Sequence, residues 1–307
     1  MEDSTIRGMG WLNDYPDFRD YTVDQDKVSD KLQRLGQRDS IKAMLTKAGV
    51  SGTKKAKALP SKVDLSPWCS IVEDQDKLGS CTANAAVGLI EYFENRAFGK
   101  YTDGSRLFVY KVTRNLAHLT GDTGAFLRNA MGAMVLFGVP PEEYWPYKIA
   151  DFDVEPPAFC YAFAQNYQAV TYYRLDPPET KTDSLLAQIR QHLAAGIPAM
   201  FGFTVYTSIS QAKTIGKIPF PVSGEKILGG HAIDAVGYDD GVKVKNAGAK
   251  GAGSTTTGAL LIRNSWGTEW GDKGYAWLPY DYVLKGLAVD WWVLLKNEWI
   301  DTGNFKS

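Results

Sequence analysis

The sequence predicts an α+β protein in which a helical lobe precedes a β-rich lobe. Two observations carry this. Helix-like patterning dominates the stretch before residue 165, at 81–97 and about 124–136, whereas short strand-like runs dominate after it. The chain of 307 residues, 44% hydrophobic and 22% charged, is long enough for two lobes and too apolar for disorder.

The elements follow in chain order. Residues 1–22 mix Asp with Trp11, Tyr15, Phe18 and Tyr21 and show no sustained period. Residues 23–46 place Val28, Leu32, Leu35, Ile41 and Leu45 at roughly helical intervals, broken near Gly36. KAGVSGTKKAKALPSK then reads as a flexible linker. In CTANAAVGLIEYFENRA (81–97), Ala83, Ala86, Val87, Ile90 and Phe93 line one helical face with no proline. The next helix, GAFLRNAMGAMVL, is ended by Gly138 and Pro140-Pro141. The strand-like runs are AVTYYRL (169–175), PAMFGFTV (198–205), HAIDAVGY (231–238), GALLIRN (258–264), GYAWL (274–278) and DWWVLL (290–295). Residues 242–258 read as a small-residue loop. This divides the chain into an arm and linker at 1–58, a helical lobe at 59–168 and a β-rich lobe at 169–307.

Composition excludes several classes. Lys plus Arg total 34 and Asp plus Glu 35, so the net charge of −1 gives no electrostatic case for nucleic acid or an anionic membrane surface. No apolar run approaches a bilayer span. The N-terminus lacks the basic start and apolar core of a Sec-type signal peptide, which leaves a cytoplasmic location or a non-Sec route open. Three cysteines exclude a disulfide-dense scaffold, and His118, His192 and His231 offer little for a His-rich metal site. The acidic DYPDFRDYTVDQD lacks the Gly and terminal Glu of an EF-hand loop, so it reads as a solvated arm.

Three segments carry chemistry together. Cys81 falls at a predicted helix start after Gly79-Ser80, where the helix N-terminus favours a thiolate and a lowered pKa. His231 opens a strand in the other lobe and can hold that thiolate as an imidazolium ion pair. Asn264, at the end of another strand, can orient the imidazole. Gln75, six residues before Cys81, can face a developing oxyanion together with the Cys81 N–H. A cysteine at a helix start is more often packing, and a histidine in a strand more often structural. The order Cys, His, Asn with Gln upstream is far more specific than any one of them.

On these residues the chain resembles the papain-like cysteine peptidase family. The carriers are Gln75 six residues before Cys81, Gly79-Ser80-Cys81, HAIDAVGYDD, NSWGTEWGDKGYAWL and Trp145-Pro146-Tyr147, spanning about residues 60–300. DLSPWCSIVEDQDKLGSCTANA and GWLNDYPDFRDY look most like bacterial members of the xylellain type.

The resemblance implies a papain-like two-lobed fold and a cysteine endopeptidase. Cys81 is then the nucleophile, His231 the general acid/base, Asn264 its orienter and Gln75 the oxyanion donor. Trp266 shields the Asn–His hydrogen bond, Gly124 lines the cleft, and Gly202 and Gly230 fall at the second specificity pocket. No metal or organic cofactor is required, the partner is a peptide or protein substrate, and the chain is expected to be monomeric. Family prosegments run through the cleft against the substrate direction. Residues 1–58 are expected to act likewise as an intramolecular inhibitor, with Trp11, Tyr15 or Phe18 near the cleft and the Lys-rich linker as processing site. Thr82 replaces the aromatic that usually follows the nucleophile, and Leu78 replaces a common cysteine, so that family disulfide cannot form. Cys69 and Cys160 remain free to pair. The triad equally fits an acyltransferase or transpeptidase, and the fold alone fits a silent binding protein.

Overall fold

The computed structural model describes residues 8–50, 58–169, 171–248 and 255–305. The expected processing site falls largely at 51–57, outside the described residues. The N-terminal stretch forms a two-residue strand β1 (Trp11–Leu12) and two short helices, α1 (Asp30–Arg34) and α2 (Ile41–Lys47). Ser29 and Ser40 cap these helices by accepting the N–H of Leu32 and Ala43, which accounts for the break at Gly36. Strand β2 (Lys62–Asp64) follows.

The helical half holds α3 (Cys81–Phe98), α4 (Arg106–Leu116), a short strand β3 (Ala125–Phe126), α5 (Leu127–Leu136) and α6 (Ala158–Ala164). Helix α3 runs 18 residues, and Gly99 in the left-handed region (φ 70°) ends it. It is buried on nearly every side, so it is the central helix of the molecule rather than a surface one. Helix α5 starts three residues later than its sequence pattern suggests, because Ala125 and Phe126 pair with β1 instead.

The other half is built on β4 (Thr171–Arg174), α7 (Thr182–Ala194), β5 (Ala199–Tyr206), α8 (Ala212–Ile215), β6 (Ile227–Lys245), β7 (Thr255–Arg263), β8 (Tyr275–Pro279), α9 (Asp281–Leu284), β9 (Ala288–Leu295) and α10 (Asn297–Ile300). Its sheet is antiparallel in the order β4-β9-β5-β6-β7-β8, with β2 added against β6. All six strand-like runs read from sequence lie in it.

Two expectations are corrected. The β-rich half contains α7, whose Leu185, Ile189, His192 and Leu193 form a buried stripe at helical spacing. The stretch 242–258 is not simply a loop: β6 and β7 stay paired from Lys243↔Thr257 to Lys245↔Thr255, so it is the far end of a long hairpin, with 249–254 outside the described residues. Cys69 and Cys160 are free thiols.

The core is continuous through both halves. It includes Ile41, Met44, Leu45 and Ala48 of the N-terminal stretch, all at most 1% exposed. Each of the three larger side chains contributes about 2 kcal/mol by burial.

Candidate active site

Cys81 is the first residue of α3, fully buried, at the seam where α3 meets β6. The turn before it is clamped. Gly79 donates its N–H to Asp122 Oδ1 at 2.9 Å, and Tyr110 donates its hydroxyl to the same oxygen at 2.6 Å. Ser80 Oγ and Tyr147 Oη lie 2.6 Å apart, and Asn84 Nδ2 donates to the Ser80 carbonyl at 3.0 Å. From the sheet side, the Ala232 N–H points at the Cys81 sulfur at 3.4 Å, so the residue after His231 touches the thiol across the seam.

His231 sits on β6 and Asn264 immediately follows β7. The register Asp234↔Arg263 brings the two side chains together, with His231 Nε2 at 2.7 Å from Asn264 Oδ1. That oxygen also accepts the Ser265 N–H at 2.8 Å, which fixes the amide orientation. An acceptor at Nε2 requires the proton there, which leaves Nδ1 as the basic nitrogen. Among the described residues Nδ1 has no hydrogen-bond partner. Trp266 stacks on the imidazole (centroids 4.6 Å, 28°) and Trp270 meets Trp266 edge-on, so the His231–Asn264 bond is kept from water.

Gln75 is buried in the loop before α3. Its Oε1 accepts the Ser265 hydroxyl at 2.5 Å, which turns Nε2 outward. Nε2 donates to the Leu78 carbonyl at 2.8 Å and to the Gly8 carbonyl at 2.9 Å. Gly8 belongs to the N-terminal stretch, which lies across the whole site. The Trp266 indole also reaches the Gly8 carbonyl (3.4 Å), and the Gly8 N–H donates to Asp76 O at 2.8 Å. Gly10 O accepts the Ala125 N–H at 2.7 Å, and β1 pairs in parallel with β3. Gly124, with φ at 74°, lies beneath; a Cβ there would overlap the Gly10 carbonyl. Trp11 fills the recess floored by Gly202 and Gly230, where a Cβ would overlap the indole.

The eight residues singled out by sequence therefore share one site. Of the three candidate aromatics, Trp11 enters the cleft, but Tyr15 and Phe18 do not: they are 80% and 92% exposed. The chain turns out of the cleft after Leu12, with Asp14 bound to Arg128 on α5 (2.6 Å) and its carbonyl to Arg174 (3.1 Å).

The protonation expected for Cys81 is reversed in this covered state. Burial pushes the thiol up to about 11, although the N–H groups of Ala232, Gly10 and Thr82 pull the other way. Burial likewise lowers His231 to about 4, against the Asn264 hydrogen bond that raises it. Helix N-terminus and imidazolium favour a thiolate only where solvent helps carry the charges, and here the N-terminal stretch excludes it. While the stretch covers them, burial thus favours the neutral thiol and the neutral imidazole.

Some site residues escaped the sequence reading. Ser265 orients Gln75, and Asp122, Tyr110 and Tyr147 hold the turn before Cys81. Their partners are 12 to 190 residues away, so no local pattern reveals them. Gly8 and Gly10 carried a signal: Gly-Met-Gly before Trp11 is a backbone made for close approach. A Cβ at either position would overlap the Leu78 or Gly79 carbonyl.

Similarity to known proteins agrees with this geometry. Residues 59–286 match the family model described as papain family cysteine protease. The chain is 33% identical over 301 residues to the uncharacterized peptidase C1-like protein L477 of Acanthamoeba polyphaga mimivirus, spanning 96% of this chain and 89% of that one. It is 27% identical over 237 residues to a cathepsin L-like proteinase of Fasciola hepatica, spanning 74% of this chain and 62% of that one. Among solved structures, xylellain, a cysteine protease from Xylella fastidiosa, superimposes with a TM-score of 0.71 at 31% identity, covering 94% of this chain and 96% of its own. Procathepsin L 3 from the larval midgut of Tenebrio molitor shares the fold at 19% identity, with a TM-score of 0.58 over 80% of this chain and 73% of its own. The chain belongs to the papain family of cysteine proteases, and it is a cysteine peptidase.

Proposed function

We propose that the chain is an endopeptidase working through Cys81, His231 and Asn264, made as a zymogen whose own residues 8–12 cover the site. The substrate is a peptide or protein and the working unit a monomer. The observation that carries this reading is the path of the N-terminal stretch. It runs from Gln75 and Trp266, at Gly8, past Cys81 to the recess over Gly202 and Gly230, at Trp11. In the family that recess takes a side chain on the amino side of the scissile bond, so residues 8–11 lie in the direction opposite to a substrate.

Removal of this stretch admits water and substrate, and hydration then favours the ion pair that burial suppresses. His231 Nδ1 takes the thiol proton while Asn264 holds Nε2–H. The thiolate attacks the peptide carbonyl. The oxygen of the tetrahedral intermediate accepts from Gln75 Nε2, released from Gly8, and from the Cys81 N–H. His231 returns the proton to the leaving amine, then activates the water that hydrolyses the thioester. Gly124 is left free to pair with the substrate backbone where Gly10 now lies.

The test compares the full chain with a full-length variant carrying Gly10→Val and Trp11→Ala, which puts side-chain bulk against the Gly79 carbonyl and empties the recess. A peptidyl epoxide should alkylate Cys81 at least a hundredfold faster in the variant, and Cys81→Ala should abolish both labelling and hydrolysis. Equal labelling of the two chains would discard the zymogen. Folded protein that is labelled in neither would discard the peptidase mechanism.

A further inference from the structure

The two groups offered to the oxyanion sit at the two ends of one short loop, Gln75 at its start and the Cys81 N–H at its end. A side-chain relay ties those ends together. Tyr147 Oη lies 3.0 Å from the Gln75 carbonyl and 2.6 Å from Ser80 Oγ. A carbonyl only accepts, so the single phenol proton goes to Gln75 and Ser80 must donate to Tyr147. Ser80 Oγ in turn accepts from Asn84 Nδ2 at 3.1 Å. The direction is thereby fixed along the whole relay, from Asn84 through Ser80 and Tyr147 to Gln75. Its anchor is Arg106. The guanidinium packs on the Tyr147 ring, 4.2 Å from the centroid, and is gripped by both oxygens of Glu142 (3.0 and 2.8 Å) and by Glu73 (3.0 Å). Burial raises the phenol to about 12, so it keeps its proton throughout the neutral range. Gln75 is otherwise held from the β-rich half. Its N–H donates to the Ser265 carbonyl at 2.9 Å, and its Oε1 accepts the Ser265 hydroxyl. Among the described residues, no other side chain hydrogen-bonds to both Gln75 and Ser80.

Resting on the peptidase reading above, we propose that Tyr147 is a positioning residue for oxyanion stabilisation, because its hydroxyl sets the spacing between Gln75 Nε2 and the Cys81 N–H. Tyr147 itself touches no reacting atom. Two donors serve one developing charge only when both reach it at hydrogen-bond distance, and a small shift of the loop weakens one of them. The benefit is confined to the transition state, where the charge appears. Loss of the hydroxyl therefore lowers kcat, and it leaves substrate binding and the intrinsic reactivity of the Cys81 thiolate alone.

The test adds Tyr147→Phe to the full-length Gly10→Val/Trp11→Ala chain. The ring and its stack on Arg106 stay, and only the hydroxyl goes. Two reactions of Cys81 are compared at pH 7. Peptide hydrolysis passes through an oxyanion. Alkylation by iodoacetamide, in which the sulfur displaces iodide from carbon, does not. We expect kcat to fall about tenfold with KM within about twofold, and the alkylation rate at Cys81, read by mass spectrometry, to stay within about twofold. Ser80→Ala cuts the same relay one step earlier and should lower kcat by a similar factor. Because both changes break one link, the two together should cost no more than either alone. Ser80→Ala also decides the question if Tyr147→Phe misfolds, which thermal melting checks. An unchanged kcat, or alkylation that falls in step with kcat, would overturn the role of Tyr147 while leaving the peptidase intact. Absence of hydrolysis by the starting chain would instead overturn the peptidase reading, and this inference with it.

Discussion

Residues 8–14 and 30–48 belong to one N-terminal stretch, yet different forces hold them. The first part lies over the cleft and is fixed mainly by backbone bonds at Gly8, Gly10 and β1, by one indole, and by the Asp14–Arg128 ion pair. The second part packs against α10. It buries Ile41, Met44, Leu45 and Ala48 completely and is tied to α10 by Asn297, whose Oδ1 accepts the N–H groups of Arg38 (2.9 Å) and Asp39 (3.2 Å). Polar contacts in a cleft exchange with water at little net cost, whereas buried apolar surface does not. On the proposed reading the first part is built to leave and the second to stay. A chain cut near residue 59 would lose both at once and confuse activation with unfolding.

The sharpest way to break this contrast is Leu45→Ala. It should cost about 3 kcal/mol of stability, read as the midpoint of urea unfolding, with Cys81 labelling in the native chain unchanged. If it instead accelerates labelling as much as Gly10→Val/Trp11→Ala does, the two parts are one unit and the contrast is wrong.

A second measurement is the pH dependence of Cys81 alkylation. In the covered chain the thiol pKa is raised to about 11, so the thiolate is the minor form throughout neutral pH. Its rate should climb roughly tenfold per pH unit between 7 and 10. The opened chain should already react fast near pH 6 and flatten above it, because imidazolium and solvent stabilise the thiolate. Parallel profiles would mean that covering does not govern protonation.

The smallest effect is expected from Asp14→Asn. The Asp14–Arg128 bridge is about one-quarter exposed on both sides, which puts its value at roughly 0.5–1 kcal/mol. Labelling of Cys81 should rise about two- to fivefold. A rise as large as that of the opened variant would move the main anchor from Trp11 to this ion pair.

Local patterns made much of this molecule legible. The α3 run shows because small and aliphatic residues recur at helical spacing without proline, and the strands show because β-branched and aromatic residues cluster in short runs. Helix α7 carries little sequence signal because its apolar stripe is narrow and sits among strands. The hydrogen bond from Trp11 to Asp290 leaves no mark in sequence, because the two residues lie 279 positions apart.

The sequence by itself determined α3, most of α5, the six longer strands and the chemical identities at Gln75, Cys81, His231 and Asn264, since these depend on residue type and near-neighbour spacing. Tertiary structure decided the rest. The β6–β7 register sets the His231–Asn264 bond, and burial at the covered site pushes Cys81 and His231 towards their neutral forms. Proton affinity and pocket chemistry depend on what surrounds a group in space, and desolvation by a distant stretch of chain leaves no mark on the residues beside it in sequence.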